Sequence, residues 1–191
     1  MAGRWQQFGD YGADGVPGKQ ALARQLDELL TGITTPVDTD RGLHARLRYL
    51  TASAAGYEAM SRAGISVTGR TLMRWLAEEA RPNPANLDRI DAAYWDLRRR
   101  NVAHDLKRRL NNHGRGTRME IYPVDQQGVT PTRRRDLSVR DINVRRVWDD
   151  MVDAWRDGDE AALDGIWDTI ISDLGSAYDA YSYVTAVGFG A

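Results

Sequence analysis

The stretch Gly64-Ile65-Ser66-Val67-Thr68-Gly69-Arg70-Thr71-Leu72-Met73-Arg74-Trp75-Leu76 decides the fold of the middle of this chain. It reads as the turn and second helix of a helix-turn-helix. Gly64 can take the positive φ that a tight turn between helices requires. Thr68 has the hydroxyl of an N-cap, able to accept from an orphan backbone N–H in the first turn. Leu72, Trp75 and Leu76 recur at i, i+3 and i+4, an apolar face expected to pack on the preceding helix. Arg70, Thr71 and Arg74 fall on the other side, where a recognition helix would meet the major groove. The plain alternative is a surface helix after a glycine turn, since short turn motifs match many sequences.

Moving outward, Leu43, Leu47 and Leu50 form one helical stripe, and Ala55 to Ala63 supplies the first helix of the motif, with Met60 and Ala63 inward. Beyond the recognition helix, Arg81 precedes Pro82 and is discouraged from helical geometry. Asn83-Pro84 then restarts a helix, with Asn as N-cap and proline in first position. Leu87, Ile90, Tyr94 and Leu97 form its apolar stripe, which should close the core. The same helix runs into Arg98-Arg99-Arg100 and then Lys107-Arg108-Arg109. These clusters sit about nine residues apart, roughly 13–14 Å on a continuous helix, a spacing that suits two phosphate contacts. Unpaired arginines on a solvated helix are the competing reading.

Towards the N-terminus, the glycine-rich residues 1–19 read as a flexible arm carrying Trp5 and Phe8, followed by a short helix, Gln20 to Leu30, and a linker, Gly32 to Gly42. Towards the C-terminus, Asn111 to Gly116 is a loop, and Met119 to Val124 alternates as a strand that Pro123 assigns to a sheet edge. Asp125 to Arg135 is polar and turn-rich. Ser138 and Asp141 resemble a capping box for a helix over Ile142 to Arg156, ended by Gly158. A further helix, Glu160 to Leu174, ends at Gly175. The aromatic, β-branched tail Tyr181 to Val187 is a strand that can pair with Met119 to Val124. The expected fold is mainly α with a small α+β C-terminal unit: an arm over 1–42, a helix-turn-helix domain over 43–112, and a two-stranded sheet with two helices over 113–191.

Composition narrows the function classes. The 191 residues contain no cysteine, which excludes disulfides and thiolate metal sites. His44, His104 and His113 lack ligand spacing, so no metal site is expected. No apolar run approaches a membrane span and no signal-peptide pattern opens the chain, so a cytoplasmic, nucleoid-associated protein is expected. The formal net charge of −1 conceals a division. Residues 41–146 hold 22 Lys+Arg against 11 Asp+Glu, and the remainder hold 4 against 16. A basic centre between acidic ends suits a polyanionic partner. Asp149, Asp150, Asp153, Asp157 and Asp159 invite a two-metal reading, but several share one helix whose other face is apolar, so a solvated acidic face is favoured. No glycine-rich phosphate loop or nucleophile elbow is present. Thr130 and Thr132 flank Pro131 just before Arg133-Arg134-Arg135. A hydroxyl beside three cations could meet a nucleotide phosphate and act as nucleophile if a partner supplied metal and base.

In order and spacing, these parts resemble the telomeric terminal proteins of linear actinomycete chromosomes and plasmids. The resemblance is carried by Leu47-Arg48-Tyr49-Leu50, Ala59-Met60, Gly64-Ile65-Ser66, Arg70-Thr71 and Arg81-Pro82-Asn83-Pro84 with Leu87. It continues through the arginine-rich helix, Met119-Glu120-Ile121, the Thr-bearing turn before Leu137-Ser138-Val139, two helices and the aromatic tail. It implies binding to telomeric DNA ends and covalent attachment of a 5′ nucleotide to a threonine, matched here by Thr130 or Thr132. It also implies partners: a DNA polymerase bringing Mg²⁺ and a dNTP, and a telomere-associated protein. The loop between Val129 and Arg135 is shorter than the family's and has no adjacent threonine pair, and Val67-Thr68-Gly69 lengthens the turn. The rival reading is a non-covalent helix-turn-helix regulator of a plasmid, phage or integrative element. It would dimerise through the C-terminal unit, with Trp148, Trp155 and Trp167 in the interface.

Overall fold

The computed structural model describes residues 11–175 and 180–190, so Trp5 and Phe8 lie outside the described residues. These residues form seven α-helices and a four-stranded antiparallel sheet, a mainly α fold with a small α+β part. The chain divides into two compact units, residues 30–102 and residues 1–29 with 103–191, and the boundary falls inside one long helix. These boundaries differ from the expected breaks at 42/43 and 112/113. Helical periodicity marks where elements begin, not which core claims them.

The 30–102 unit holds α2 (Asp40–Thr51), α3 (Ala54–Arg62), α4 (Gly69–Leu76) and the first two thirds of α5 (Pro84–Asn111). Each start is capped as its sequence implies. The Thr39, Ser53 and Thr68 hydroxyls accept from the N–H groups of Gly42, Gly56 and Thr71, and the Asn83 carbonyl oxygen accepts from Asn86 N–H at 2.9 Å. Leu43, Leu47, Leu50, Met60, Trp75, Ile90, Tyr94 and Leu97 form one buried cluster. The linker before α2 has no regular structure but is held by a residue with no apolar character. Arg46 is 3 % exposed. Its guanidinium donates to Asp91 Oδ1 at 2.6 Å and to the carbonyls of Thr35, Gly42 and Ile33 at 2.7, 3.1 and 3.1 Å. It also lies 5.3 Å from the centre of the Tyr94 ring. A buried charge is tolerated only when hydrogen-bonded and paired in this way.

The other unit is built on the sheet, ordered β1-β4-β2-β3, with β1 at Val16–Pro17, β2 at Thr117–Pro123, β3 at Arg140–Val144 and β4 at Tyr183–Gly190. The tail pairs with β2 as expected, placing Met119 opposite Phe189 and Ile121 opposite Val187. The sheet has four strands rather than two because β1 adds to β4, and β3 adds to β2 with Thr117 opposite Val144 and Ile121 opposite Arg140. Thr117, Met119 and Ile121 point into the core, while Arg118, Glu120 and Tyr122 carry ion pairs and a hydrogen bond on the open face. This is the alternation of a sheet covered on one side.

Three expectations are corrected here. Residues 11–19 are not a free arm: they form β1 and lead directly into α1 (Gly18–Leu29), whose Leu22 and Leu26 are fully buried. Helix α1 packs on β4 and on α7 (Glu160–Leu174). Secondly, β2 is an interior strand. Pro123 is tolerated because it is the last residue of β2, past the end of pairing with β3 and at an irregularity in pairing with β4. Thirdly, Ser138 and Asp141 do not cap a helix over Ile142 to Arg156. Residues 140–144 are strand β3, with Arg140, Ile142 and Val144 on the less exposed side, and α6 starts at Trp148 (Trp148–Asp157). The period-2 signal overrides the capping pattern because β2 offers a partner edge. Helices α6 and α7 end at Gly158 and Gly175 as expected. Trp148, Trp155 and Trp167 are buried within this unit, their indole N–H groups bonded to Val144 O, Asp27 Oδ1 and Tyr181 O. They belong to the core of the chain, which removes them from the expected dimer interface.

No helix among the described residues is long and apolar enough to cross a membrane.

Candidate nucleic-acid interface

The turn between α3 and α4 is built as its residues dictate. Gly64 adopts φ 77°, a region costly for residues with a Cβ. The main-chain N–H groups of Ala63, Gly64 and Ile65 fold back onto Ala59, Ser61 and Met60 carbonyls, closing the end of α3. On α4, Trp75 is buried and Leu72 and Leu76 are half-buried. That face packs against α2 rather than principally on the preceding helix, α3, which corrects the expected pairing. The turn of six residues, lengthened by Val67 and Thr68, carries α4 to a leucine-lined helix one element earlier.

The outer face of α4 carries Arg70 and Arg74, both exposed. Arg70 has no side-chain partner among the described residues. Arg74 lies 4.0 Å from Glu79, a largely solvated pair worth little. Thr71 is half-buried, and its hydroxyl lies 3.0 Å from that of Thr68. It therefore helps to cap the helix rather than standing free on the outer face.

The basic clusters of α5 are largely engaged within the chain. The Arg98 Nε–H donates to the Thr31 carbonyl at 2.7 Å. Arg100 pairs with Asp96 at 3.0 Å, Lys107 with Asp153 at 2.6 Å, and Arg108 with Asp105 at 2.5 Å. Arg99 is half-buried, and Arg109 is exposed with no side-chain partner among the described residues. Asp96 receives both Arg62 and Arg100. Burial opposes its charge, but the hydrogen bonds from the two guanidinium groups outweigh that effect and hold its carboxyl below the ordinary 3.8. The charge division changes with the fold as well. Residues 30–102 hold 11 Lys+Arg and 8 Asp+Glu, a net of +3, and the other unit holds 15 and 19, a net of −4. Half of the basic centre folds together with the acidic ends, so neither unit is a strongly basic body.

Most of the acidic cluster is taken up by partners within the chain, and Asp159 caps α7 by accepting from Ala162 N–H. Asp149 accepts from the Asn111 amide, and Asp153 and Asp157 meet Arg156, with Asp153 also bound by Lys107.

The threonine loop is more ordered than its composition suggests. Thr130 and Thr132 are exposed, on either side of Pro131 at a single 3₁₀ turn. Below them Val129 is buried with Val124 and Ala13, and Leu137 and Tyr183 pack on that cluster. Arg134 points back into the loop, donating to Val129 O at 2.8 Å and Gln127 O at 2.9 Å. The Gln126 amide brackets the Arg135 backbone, accepting from its N–H at 2.7 Å and donating to its carbonyl at 3.0 Å. Residues 11–14 clasp the loop from the side. Asp14 and Asp125 exchange two main-chain hydrogen bonds of 2.9 Å, and the Arg133 guanidinium sits 4.4 Å from the centre of the Tyr11 ring. Gly12 and Gly128 meet backbone to backbone, and a Cβ on Gly128 would lie 2.4 Å from the Gly12 carbonyl oxygen.

The structure places Thr130, Thr132, Arg70, Arg74 and Arg109 on exposed surface, and gives Arg98, Arg100, Lys107, Arg108 and Arg134 partners within the chain that sequence reading did not foresee. Sequence reading also missed Arg46, Gln126 and the 11–14 clasp, whose partners are distant in sequence. No family model matches the chain, and comparison with curated proteins and with solved structures found no match.

Proposed function

We propose that this chain binds DNA through the α3–turn–α4 segment and serves as a terminal protein of a linear replicon, presenting Thr130 or Thr132 as the acceptor of a 5′ nucleotide. The observation that carries the reading is the pair of exposed arginines, Arg70 and Arg74, on the outer face of an N-capped helix whose inner face is buried in a small helical core. The acceptor role rests on the exposed hydroxyls of a loop that is itself held in place. In the reaction the threonine oxygen attacks the α-phosphorus of a dNTP. A phosphoester forms, the α–β anhydride bond breaks, and pyrophosphate leaves. The partner polymerase supplies the Mg²⁺ ions and the base that accepts the hydroxyl proton. The chain is a primer, and a telomere-associated protein and a nucleoid location accompany that role.

To test the acceptor role, the chain is incubated with a labelled dNTP, Mg²⁺ and a host polymerase extract. Wild-type protein becomes labelled, and the Thr130→Val/Thr132→Val double variant does not. Equal labelling of the two overturns the role.

A non-covalent regulator remains the second reading, favoured by the internal engagement of Arg98, Arg100, Lys107 and Arg108. If those pairs persist on binding, the grip narrows to about two to four phosphates. Affinity then falls about 10- to 100-fold between 50 and 200 mM salt, against the 10³- to 10⁵-fold of a six- to ten-phosphate clamp. An affinity indifferent to salt overturns both readings.

A further inference from the structure

Met73 is 64 % exposed, more than any other large apolar side chain among the described residues. It lies on α4 three residues after Arg70 and one before Arg74, so Arg70, Met73 and Arg74 share one helix face. A single exposed apolar residue needs no special explanation. This one differs in its setting: it stands between two exposed cations on the helix assigned to the major groove, while Thr71, the neutral residue expected to read bases there, is tied to Thr68.

We infer that Met73 is a specificity-determining residue that packs on the 5-methyl group of thymine in the major groove, between phosphate or guanine contacts made by Arg70 and Arg74. The inference rests on the DNA-binding reading above. Thymine is the one base that presents a methyl group in that groove, and apolar side chains recognise it by contact alone. Methionine suits the task, being unbranched, polarizable and able to settle against an irregular apolar surface. The target of α4 therefore contains a thymine rather than an uninterrupted G·C run.

The test uses the full chain and a pool of duplexes with a randomised central segment. The duplex enriched by the wild-type protein is resynthesised with each thymine in turn replaced by deoxyuridine, which removes the methyl group and nothing else. Loss of one buried methyl weakens wild-type binding about three- to fourfold at one or two positions. Met73→Ala binds the parent duplex correspondingly less well and is insensitive to those replacements, with an unchanged salt response. Because Met73 is solvent-facing, the variant keeps the wild-type circular dichroism spectrum. Two results overturn the inference while leaving DNA binding intact: no thymine responds to demethylation, or Met73→Ala retains the wild-type response. A pool that shows no enrichment overturns base reading by α4 and the inference with it, whereas DNA binding itself falls only if affinity is indifferent to salt.

Discussion

The α3–turn–α4 segment and the threonine loop, both singled out for function, are held in opposite ways. The first is governed by neighbours in sequence: Gly64 turns the chain, Thr68 caps α4, and the apolar spacing of α4 selects its buried face. The second depends on residues more than a hundred positions away, because Tyr11 to Asp14 clasp it through main-chain bonds and a ring contact. Local rules place a helix, whereas a polar loop acquires its shape from whatever comes to pack on it.

The largest way to disturb this contrast is at Arg46. Arg46→Met leaves the Thr35 and Ile33 carbonyls and Asp91 without their buried partner, and the 30–102 unit should lose about 3 kcal/mol in a denaturant titration. A loss below about 1 kcal/mol would mean that the guanidinium is a passenger in an apolar core.

Next comes the clasp. Gly128→Val drives a side chain into the Gly12 carbonyl, an overpacking cost of about 1–3 kcal/mol. The effect should stay local, because loops can open without global unfolding. Tryptic cleavage after Arg133, Arg134 or Arg135 should speed up about tenfold, while cleavage after Arg62 or Arg70, in the other unit, is unaffected. Unaltered cleavage would show that the loop holds itself.

The smallest effect is at Asp96. Its carboxyl is held below 3.8 in the folded chain, so its contribution is complete above that value and fades as the pH falls through the folded pKa. Asp96→Asn should cost about 0.5–1 kcal/mol at pH 7, in the range of partly solvated pairs, and progressively less below pH 4. A deficit that is the same at pH 3 and pH 7 would remove the charge pairing as its cause.

How far sequence reading reached varies by position for physical reasons. Asn83-Pro84 and Thr68 are signals contained within four residues, and they reappear as caps. Ser138 and Asp141 have nearly the same local grammar, yet they flank and enter a strand, because β2 offers hydrogen bonds that no local pattern reveals. The pooling of positive charge is a property of chain order, and it disperses once residues 103–191 fold together with residues 1–29. Arg70 and Arg74 were legible as outward-facing because periodicity assigns faces. Arg98 and Lys107 were not, since nothing near them in sequence names Thr31 or Asp153 as their partners.

From its order of residues alone, most of this protein's helices, the Thr68 and Asn83 caps, the apolar stripe of α5 and the pairing of its aromatic tail with β2 were determined, because those depend on contacts of short range or on strong β propensity. Tertiary structure alone decided that Arg46 is buried, that the first strand and helix complete the C-terminal sheet, and which cations remain exposed. Charge and hydrogen-bonding groups find partners in space, and that choice is made only when distant segments compete for the same donors.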